Sequence, residues 1–471
     1  MDPTAEPLAR ARHLISKKKP KDALALLDKL LREHPACEEG LELRGDIHFN
    51  ANDDARAEAD YRALLALKAD QPEALRGLGR VLCRQKRHEE ALAVLARGAE
   101  IDPYNAQALH DQGVVLGKLG RHKEAVESAS QALLREPESA ATWFNRGTSK
   151  LALGDLKGAL HDLDEALRLE PRNARFLGVR GQIHARLDDL ESALADVTAS
   201  LKLDPAPWEL LIFQSDLYAK LGKSMEALAG YNKLVSKGHA NGHIRGARGT
   251  IYLRLGDRAK AMADFDAAIK LEPDEPRNHM GRALCFLHDK RHPEVIAALD
   301  EVIRLDPRDD KALATRGNSL RQLGRFDEAA ADYERALAIN PKQEHYWHFR
   351  ARLRMQTREW AKARADFEEC LRLAPHDLDN ANGLAWLLAA CPDDGIRDGA
   401  RAEELARGIC KKDSNSNHLN SLACALAEQG KWDEAKTAIE RAIRAGTSPE
   451  LQVHFREHRD LIEQRKPIRI K

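Results

Sequence analysis

Residues 140–173 read AATWFNRGTSKLALGDLKGALHDLDEALRLEPRN, and this stretch decides the fold. Trp143 and Gly147 are spaced four residues apart, so they lie on one face of a predicted helix. Gly154 favours a helix end, because glycine adopts the left-handed conformation at low cost. Pro171 ends a second helix, since proline has no amide hydrogen to donate. The stretch therefore predicts a helical hairpin whose apolar faces need neighbours to become buried.

The same pattern returns every 34 residues along most of the chain. Counting in steps of 34 from residue 35 gives proline at nine of eleven positions, with alanine twelve residues before ten of the eleven. A further twelve residues earlier, every position holds glycine, alanine or serine. Helices that cross closely need small residues at the contact. The predicted repeats form an array over residues 4–449 and start near residues 4, 38, 72, 106, 140, 174, 208, 242, 276, 310, 344, 378 and 416.

This unit, with an aromatic residue, glycine, alanine and proline at fixed offsets, resembles the tetratricopeptide repeat (TPR) family. The resemblance implies an all-α fold, a right-handed α-solenoid of about 13 helix-turn-helix repeats whose first helices line a concave surface. It also implies a non-catalytic scaffold for protein–protein interaction. Residues 385–406 resemble the terminal repeats of many bacterial members, which points to a bacterial source.

The regular spacing is interrupted in two places, and a different pattern follows the last repeat. Residues 237–244 read KGHANGHI, without the usual proline, which predicts a bend in the array. Residues 391–399 read CPDDGIRDG and lengthen the turn of the twelfth repeat. Residues 450–465 predict a helix that caps the last repeat. The short basic tail, residues 466–471, is expected to fray.

An arginine and an aspartate change together between repeats. Among the repeats that start at residues 38 to 344, position 7 is arginine in seven, and in six of these the residue 16 positions later is aspartate. Because the guanidinium fork matches a carboxylate, we predict salt bridges between the two helices of one repeat. The predicted pairs are Arg44–Asp60, Arg146–Asp162, Arg180–Asp196, Arg248–Asp264, Arg316–Asp332 and Arg350–Asp366. Arg282 has Ala298 at the partner position, so its partner is unassigned.

The resemblance also implies which side chains can contact a ligand, because positions 2, 5, 9 and 12 of each first helix tend to face the concave surface. The residues selected on this basis are Arg76, Arg80, Phe144, Ile212, Arg277, Lys311, Asn318, Arg321, His345, His348 and Arg352. Those in repeats nine to eleven form a basic, histidine-rich stripe. We expect a peptide or partner protein whose acidic part contacts Lys311, Arg321 and Arg352, with an apolar part near Phe144 and Ile212.

Two histidine patterns are candidates for chemistry. His454, Glu457 and His458 match the HxxEH pattern of inverted zinc peptidases. His345 and His348 are three residues apart on one predicted helix. A solvated polar face is the preferred interpretation of the HxxEH pattern, since no third ligand is visible. For His345 and His348 a groove-facing or packed role is preferred. The repeats also leave no second domain for a catalytic core, so we expect no enzyme activity, no cofactor and no metal.

The amino-acid composition argues against one class of partner and favours one kind of cellular compartment. The 75 lysine and arginine residues balance 75 aspartate and glutamate residues, which argues against bulk binding to nucleic acid. The seven cysteines form no CxxC pair, which is typical of a reducing compartment. No signal peptide or membrane span is visible, so a cytoplasmic protein is expected.

Three alternative interpretations were weighed. An RNA-binding helical-repeat protein and a regulatory or assembly subunit that self-associates both remain open. A clamp for chaperone C-termini is not expected, because such a clamp needs lysine and asparagine where this chain has His110 and Val114.

Overall fold

The structure is a computed structural model that describes residues 3–446 and 448–470. Within these residues it consists of helices joined by turns, with no strand. The predicted all-α solenoid is confirmed. The chain divides into two compact units, one ending at Lys237 and the other beginning at Gly238. This boundary falls inside the KGHANGHI stretch.

The first unit contains seven helix pairs in its described residues. Its first helices are α1 (Ala5–Ser16), α3 (Glu38–Asn50), α5 (Pro72–Arg84), α7 (Ala106–Lys118), α9 (Ala140–Ala152), α11 (Ala174–Arg186) and α13 (Trp208–Lys220). Its second helices are α2 (Pro20–Glu33), α4 (Asp54–Leu67), α6 (His88–Ile101), α8 (His122–Arg135), α10 (Leu156–Leu169), α12 (Leu190–Leu203) and α14 (Ser224–Ser236).

The second unit contains six helix pairs and a final single helix in its described residues. Its first helices are α15 (Gly242–Arg254), α17 (Pro276–His288), α19 (Asp310–Gln322), α21 (Glu344–Gln356), α23 (Leu378–Ala390) and α25 (Ser416–Glu428). Its second helices are α16 (Arg258–Leu271), α18 (His292–Leu305), α20 (Phe326–Ile339), α22 (Trp360–Leu373), α24 (Gly399–Lys412) and α26 (Trp432–Ala445). The last helix is α27 (Pro449–Glu463).

The turn between α9 and α10 illustrates how the sequence makes each hairpin. Gly154 has φ +83°, and the next amide, that of Asp155, donates to the carbonyl of Lys150 at 3.0 Å. The Asp155 carboxylate then accepts from the backbone amide of Gly158 at 2.9 Å, which caps the start of α10. Ala159 and Leu163 of α10 are fully buried. Local turn chemistry therefore sets the hairpin, and packing between repeats buries its apolar face.

Glycines allow successive repeats to approach closely. A Cβ atom at Gly383 would lie 2.6 Å from the ring of Phe367, which belongs to the preceding repeat. A Cβ atom at Gly281 would overlap the ring of Phe265 in the same way. In the first unit, α3 contacts α5, and α5 contacts α7. First helices of neighbouring repeats therefore form a shared surface within a unit.

The second unit ends with α27 and a tail that folds back across it. Ile468 is 1% exposed, and the backbone amide of Ile470 donates to the carbonyl of Ala390 at 2.8 Å. Arg469 Nη1 donates to Glu428 Oε2 at 2.6 Å. The expectation that this tail frays is therefore wrong for residues 466–470; Lys471 lies outside the described residues. The carbonyl of Ala390, at the C-terminal end of α23, has no partner within that helix and can therefore accept from the tail.

None of the described helices combines the length and the apolar character that crossing a membrane requires.

Candidate ligand-binding groove

Six arginines at position 7 lie against the second helix of their own repeat. Arg146 Nε and Nη2 donate to the two carboxylate oxygens of Asp162, each at 2.8 Å, and Asp162 is 0% exposed. The other pairs have the same arrangement, with donor–acceptor distances between 2.6 and 3.1 Å, and are Arg44–Asp60, Arg180–Asp196, Arg248–Asp264, Arg316–Asp332 and Arg350–Asp366. These guanidinium groups therefore connect the two helices of a repeat.

Several of these arginines also reach backward to the preceding repeat, which the sequence analysis missed. Arg180 Nη1 donates to Asp164 at 2.9 Å, and Arg316 Nη1 donates to Asp300 at 2.6 Å, in both cases 16 residues earlier. Arg282, which was left without a partner, lies 3.7 Å from Asp266 at the same backward spacing. We call this series of forward and backward pairs the arginine ladder. The backward spacing of 16 was visible in the sequence.

A second basic side chain lies beside the aspartate in several of these pairs. Lys150 Nζ lies 2.9 Å from Asp162, and Arg354 Nη1 lies 2.6 Å from Asp366. His48 Nδ1 lies 2.9 Å from Asp60. Each of these side chains comes four residues after the ladder arginine, one turn further along the first helix.

The predicted basic residues of the first unit have partners. Arg76 Nη1 lies 3.7 Å from Asp111 Oδ2, and the Arg80 guanidinium lies 4.4 Å from the centre of the Phe49 ring. Burial raises the pKa of the Asp111 carboxyl, although nearby cations oppose that shift. Arg76 and Asp111 therefore balance each other only in part, and Arg80 packs on an aromatic ring.

The predicted apolar contact at Phe144 needs correction. Phe144 is 3% exposed, and its ring stacks on Phe176 at 4.7 Å between centroids. The Arg175 guanidinium lies over the same ring at 4.7 Å. Phe144 is thus part of the packing between α9 and α11 and offers no open surface to a ligand. Ile212 remains partly exposed on α13.

Four members of the predicted basic stripe, Asn318 among them, do not line the main cavity of the second unit. Arg277 is exposed, and its Nε donates to Glu275 at 2.7 Å. His345 Nδ1 lies 3.0 Å from Glu344, and Lys311 is exposed on α19. The cavity itself, of about 760 Å³, is lined mainly by α21 and α23, with single residues from α19, α20, α22 and α25. Its walls include Arg321, His348, Arg352, Met355, Asp379 and Trp386. We call this cavity and its walls the second-unit groove.

Two guanidinium groups of the second-unit groove have no carboxylate partner in the described chain. Arg321 is only 8% exposed; it donates to Gln356 Oε1 at 3.2 Å and to Asn318 Oδ1 at 2.9 Å. Its Nε has no hydrogen-bond acceptor. Burial and, after it, the charge of Arg321 lower the pKa of Arg352. Arg352 is exposed and has the Asp379 carboxylate in its neighbourhood, whereas Arg321 is buried without a carboxylate of the described chain at ion-pair distance. A buried charge without a close counter-charge is costly, so this groove favours an anion near Arg321.

The remaining walls add a histidine, aromatic surface and a carboxylate. His348 Nδ1 lies 2.6 Å from Asn380 Oδ1, and burial lowers the pKa of the His348 imidazole. Trp386 separates the groove from a smaller cavity of about 540 Å³. Ile470 of the folded-back tail lines both cavities. The sequence pattern had selected the basic residues but neither Trp386 nor the tail.

The HxxEH pattern lies on α27 beside the smaller cavity. His458 is buried, its Nδ1 lies 2.8 Å from Asn420 Oδ1, and its ring stacks on Trp386 at 5.6 Å. His454 lies against it with ring centroids 4.2 Å apart. His458 is therefore a packed residue and not part of a solvated face. Among the described residues, no cluster of three or more histidine, cysteine, aspartate or glutamate side chains could hold a metal ion.

Four sequence models described as tetratricopeptide repeat match the chain. They match residues 8–72, 144–207 and 247–310, residues 310–343, residues 70–135, and residues 417–446. Together they account for more than half of the chain. The chain belongs to the tetratricopeptide repeat family.

Individual relatives are distant or short. Protein O-mannosyl-transferase Tmtc3 of Drosophila melanogaster is 35% identical over 91 residues, which are 19% of this chain and 10% of that protein. The chain thus spans about a tenth of the length of that relative. Among solved structures, a tetratricopeptide repeat protein from Parabacteroides merdae is 20% identical over 53% of this chain and 98% of its own, with a TM-score of 0.38. The APC/C hetero-tetramer Cut9–Hcn1 matches 97% of this chain and 95% of its own at 15% identity, with a TM-score of 0.42.

Proposed function

We propose that this chain is a non-catalytic scaffold that binds an extended acidic segment of a partner protein in the second-unit groove. The single observation that carries the proposal is the pair Arg321 and Arg352, which face one cavity without a carboxylate partner in the described chain. An acidic side chain would supply the missing charge. Met355 and Trp386 in the same walls suit an apolar neighbour of that acidic residue.

A protein segment fits this groove better than a nucleic acid does. Asp379 lines the same cavity and would repel any phosphate near it, whereas a protein segment can place a neutral or basic residue beside Asp379 and an acidic one beside the arginines. In the first unit, Glu42 stands near Asp46 and Glu73, and burial together with these charges raises the pKa of its carboxyl. The overall charge is zero as well. A continuous phosphate chain needs a continuous basic track.

A scaffold role also fits the distribution of charged groups better than catalysis does. The similarity to the O-mannosyl-transferase is confined to a tenth of that protein, so we carry none of its activity over. Arg321 and Arg352 are suited to holding an anion, and Asp379 to holding a nearby cation or amide of the same segment.

The test is fluorescence anisotropy of full-length protein with three labelled probes: a glutamate-rich peptide containing one leucine, its glutamine counterpart, and an oligouridine. We expect the glutamate peptide to bind, and binding to weaken with salt. Arg352→Glu should weaken it by at least about tenfold, because a charged hydrogen bond contributes about 1.5–3 kcal/mol. Arg277→Glu is the matched control and should bind as the native protein does. Tighter binding of the oligouridine, or equal behaviour of the two variants, would contradict the proposal.

A further inference from the structure

Two repeats bury a tyrosine whose hydroxyl donates to an aspartate on the first helix of the same repeat. Tyr61 Oη donates to Asp46 Oδ1 at 2.6 Å, and Tyr231 Oη donates to Asp216 Oδ1 at 2.5 Å. The aspartate lies 15 residues before the tyrosine in both repeats. Both carboxylates are at position 9, on the side of the first helix where a ligand would lie. An internal carboxylate therefore satisfies the buried hydroxyl in these two repeats.

The tenth repeat has the tyrosine without the carboxylate. Tyr333 is 0% exposed, and burial raises its pKa to about 12, so its hydroxyl keeps its proton. The residue 15 positions earlier is Asn318. The Asn318 Oδ1 atom accepts from Arg321 Nη2 at 2.9 Å, and the proton of the Tyr333 hydroxyl has no acceptor among the described residues, because the neighbouring Arg321 guanidinium can only donate. An unsatisfied buried donor destabilises a fold.

The same substitution leaves positive charge at the groove. An aspartate at position 318 would lie beside Arg321. It would also stand 15 residues before Tyr333, which is the spacing at which Asp46 accepts from Tyr61. Its carboxylate would balance the charge of the Arg321 guanidinium without any ligand. With asparagine there, Arg321 is bonded only to two amide oxygens, those of Asn318 and Gln356, and keeps its full charge toward the cavity.

We infer that Asn318 is a specificity-determining residue, which keeps Arg321 un-neutralised so that a carboxylate of the bound segment serves as its counter-charge. This inference rests on the proposed function and adds to it the residue that selects an acidic ligand. The tenth repeat leaves a buried donor unsatisfied, whereas the second and seventh repeats satisfy theirs internally. In this repeat the bound segment supplies the carboxylate that position 318 lacks.

The test compares Asn318→Asp with native protein, using the glutamate peptide for binding and thermal unfolding for stability. We expect Asn318→Asp to weaken peptide binding by about tenfold, as for the loss of one charged hydrogen bond. The same variant should melt at a higher temperature, because it gives Tyr333 and Arg321 an internal acceptor. Asn318→Ala, which adds no charge, should bind at least as tightly as native protein.

Asp46→Asn is the matched control in the first unit. It removes the acceptor of Tyr61, so we expect a lower melting temperature and unchanged peptide binding. If Asn318→Asp binds the peptide as native protein does while Arg352→Glu does not, the role of Asn318 is refuted and the proposed groove stands. If native protein does not bind the glutamate peptide, both are refuted.

Discussion

At the scale of single residues, Asp162 is the most enclosed carboxylate of the arginine ladder. It is 0% exposed and accepts from Arg146, while the ammonium group of Lys150 lies 2.9 Å away. A buried charge contributes to stability only while its partners remain, because its removal from water is costly. Two cations around one carboxylate also tie two turns of α9 to α10.

Asp162→Asn should therefore destabilise this hairpin strongly. Removing one partner of a buried ion pair costs about 3–5 kcal/mol, and both cations would remain in place. The measurement is native-state hydrogen exchange, which reports local opening of α9 and α10. Asp164→Asn is the control, since Asp164 is about half exposed and an exposed pair contributes about 0–1 kcal/mol. Equal loss of protection in the two variants would contradict this account.

At the scale of helices, the contact between Phe265 of α16 and Gly281 of α17 sets how closely two repeats stack. Glycine in a helix interior normally costs about 1 kcal/mol relative to alanine. Here a Cβ atom at Gly281 would overlap the Phe265 ring, which is itself buried. Replacing Gly281 by alanine would therefore stabilise α17 through helix propensity and destabilise its packing against Phe265.

Gly281→Ala should destabilise the protein despite the better helix propensity of alanine. Overpacking costs about 1–3 kcal/mol, which exceeds the propensity gain over most of that range. A second substitution, Phe265→Leu, makes room for the methyl group, so the double variant should be more stable than the sum of the two single effects. Thermal unfolding of the four proteins measures this coupling. A stabilised Gly281→Ala protein would show that the ring moves aside freely.

How far the sequence predicts the fold follows from what a 34-residue period encodes. Gly154, Ala159 and Pro171 act locally, through turn conformation and helix contacts, and so they are readable from spacing. The arginine ladder was readable too, because Arg146 and Asp162 recur together. Periodicity assigns a helix face but not its burial, and for that reason Phe144 was taken for a ligand contact although it stacks on Phe176.

The candidate site was only partly predictable. Arg321 and Arg352 were found because they occupy ligand-facing positions. Trp386 was missed, although it also occupies position 9 of its repeat, because no residue of the twelfth repeat was selected. Docking of Ile470 on Ala390 could not be predicted, since this contact joins segments far apart in sequence and outside the period.

At the scale of the molecule, the chain has two compact units that meet at Lys237 and Gly238. In solenoids each repeat contacts mainly its neighbours, so stability is nearly a sum of local terms. Every residue named in the walls of the second-unit groove lies after Gly238. The named walls of the groove therefore belong entirely to the second unit.

A fragment of residues 238–471 should fold and keep the groove. We expect its circular dichroism to be as helical per residue as that of the full chain, with cooperative thermal unfolding. Its affinity for the glutamate peptide should match that of the full chain within about threefold, a difference below about 1 kcal/mol. A folded fragment without peptide binding would mean that residues before Gly238 contribute to the groove.

The arginine ladder also constrains how such a gene can change length. The forward partner of a ladder arginine lies in its own repeat, so unequal recombination that adds or removes whole 34-residue blocks leaves each forward pair intact. Gain or loss of a partial block would turn arginines toward the wrong helix face. The lengthened turn at 391–398 occurs in the repeat whose position 7 is Leu384, which takes no part in the ladder. This longer turn therefore leaves the spacing of the ladder pairs unchanged.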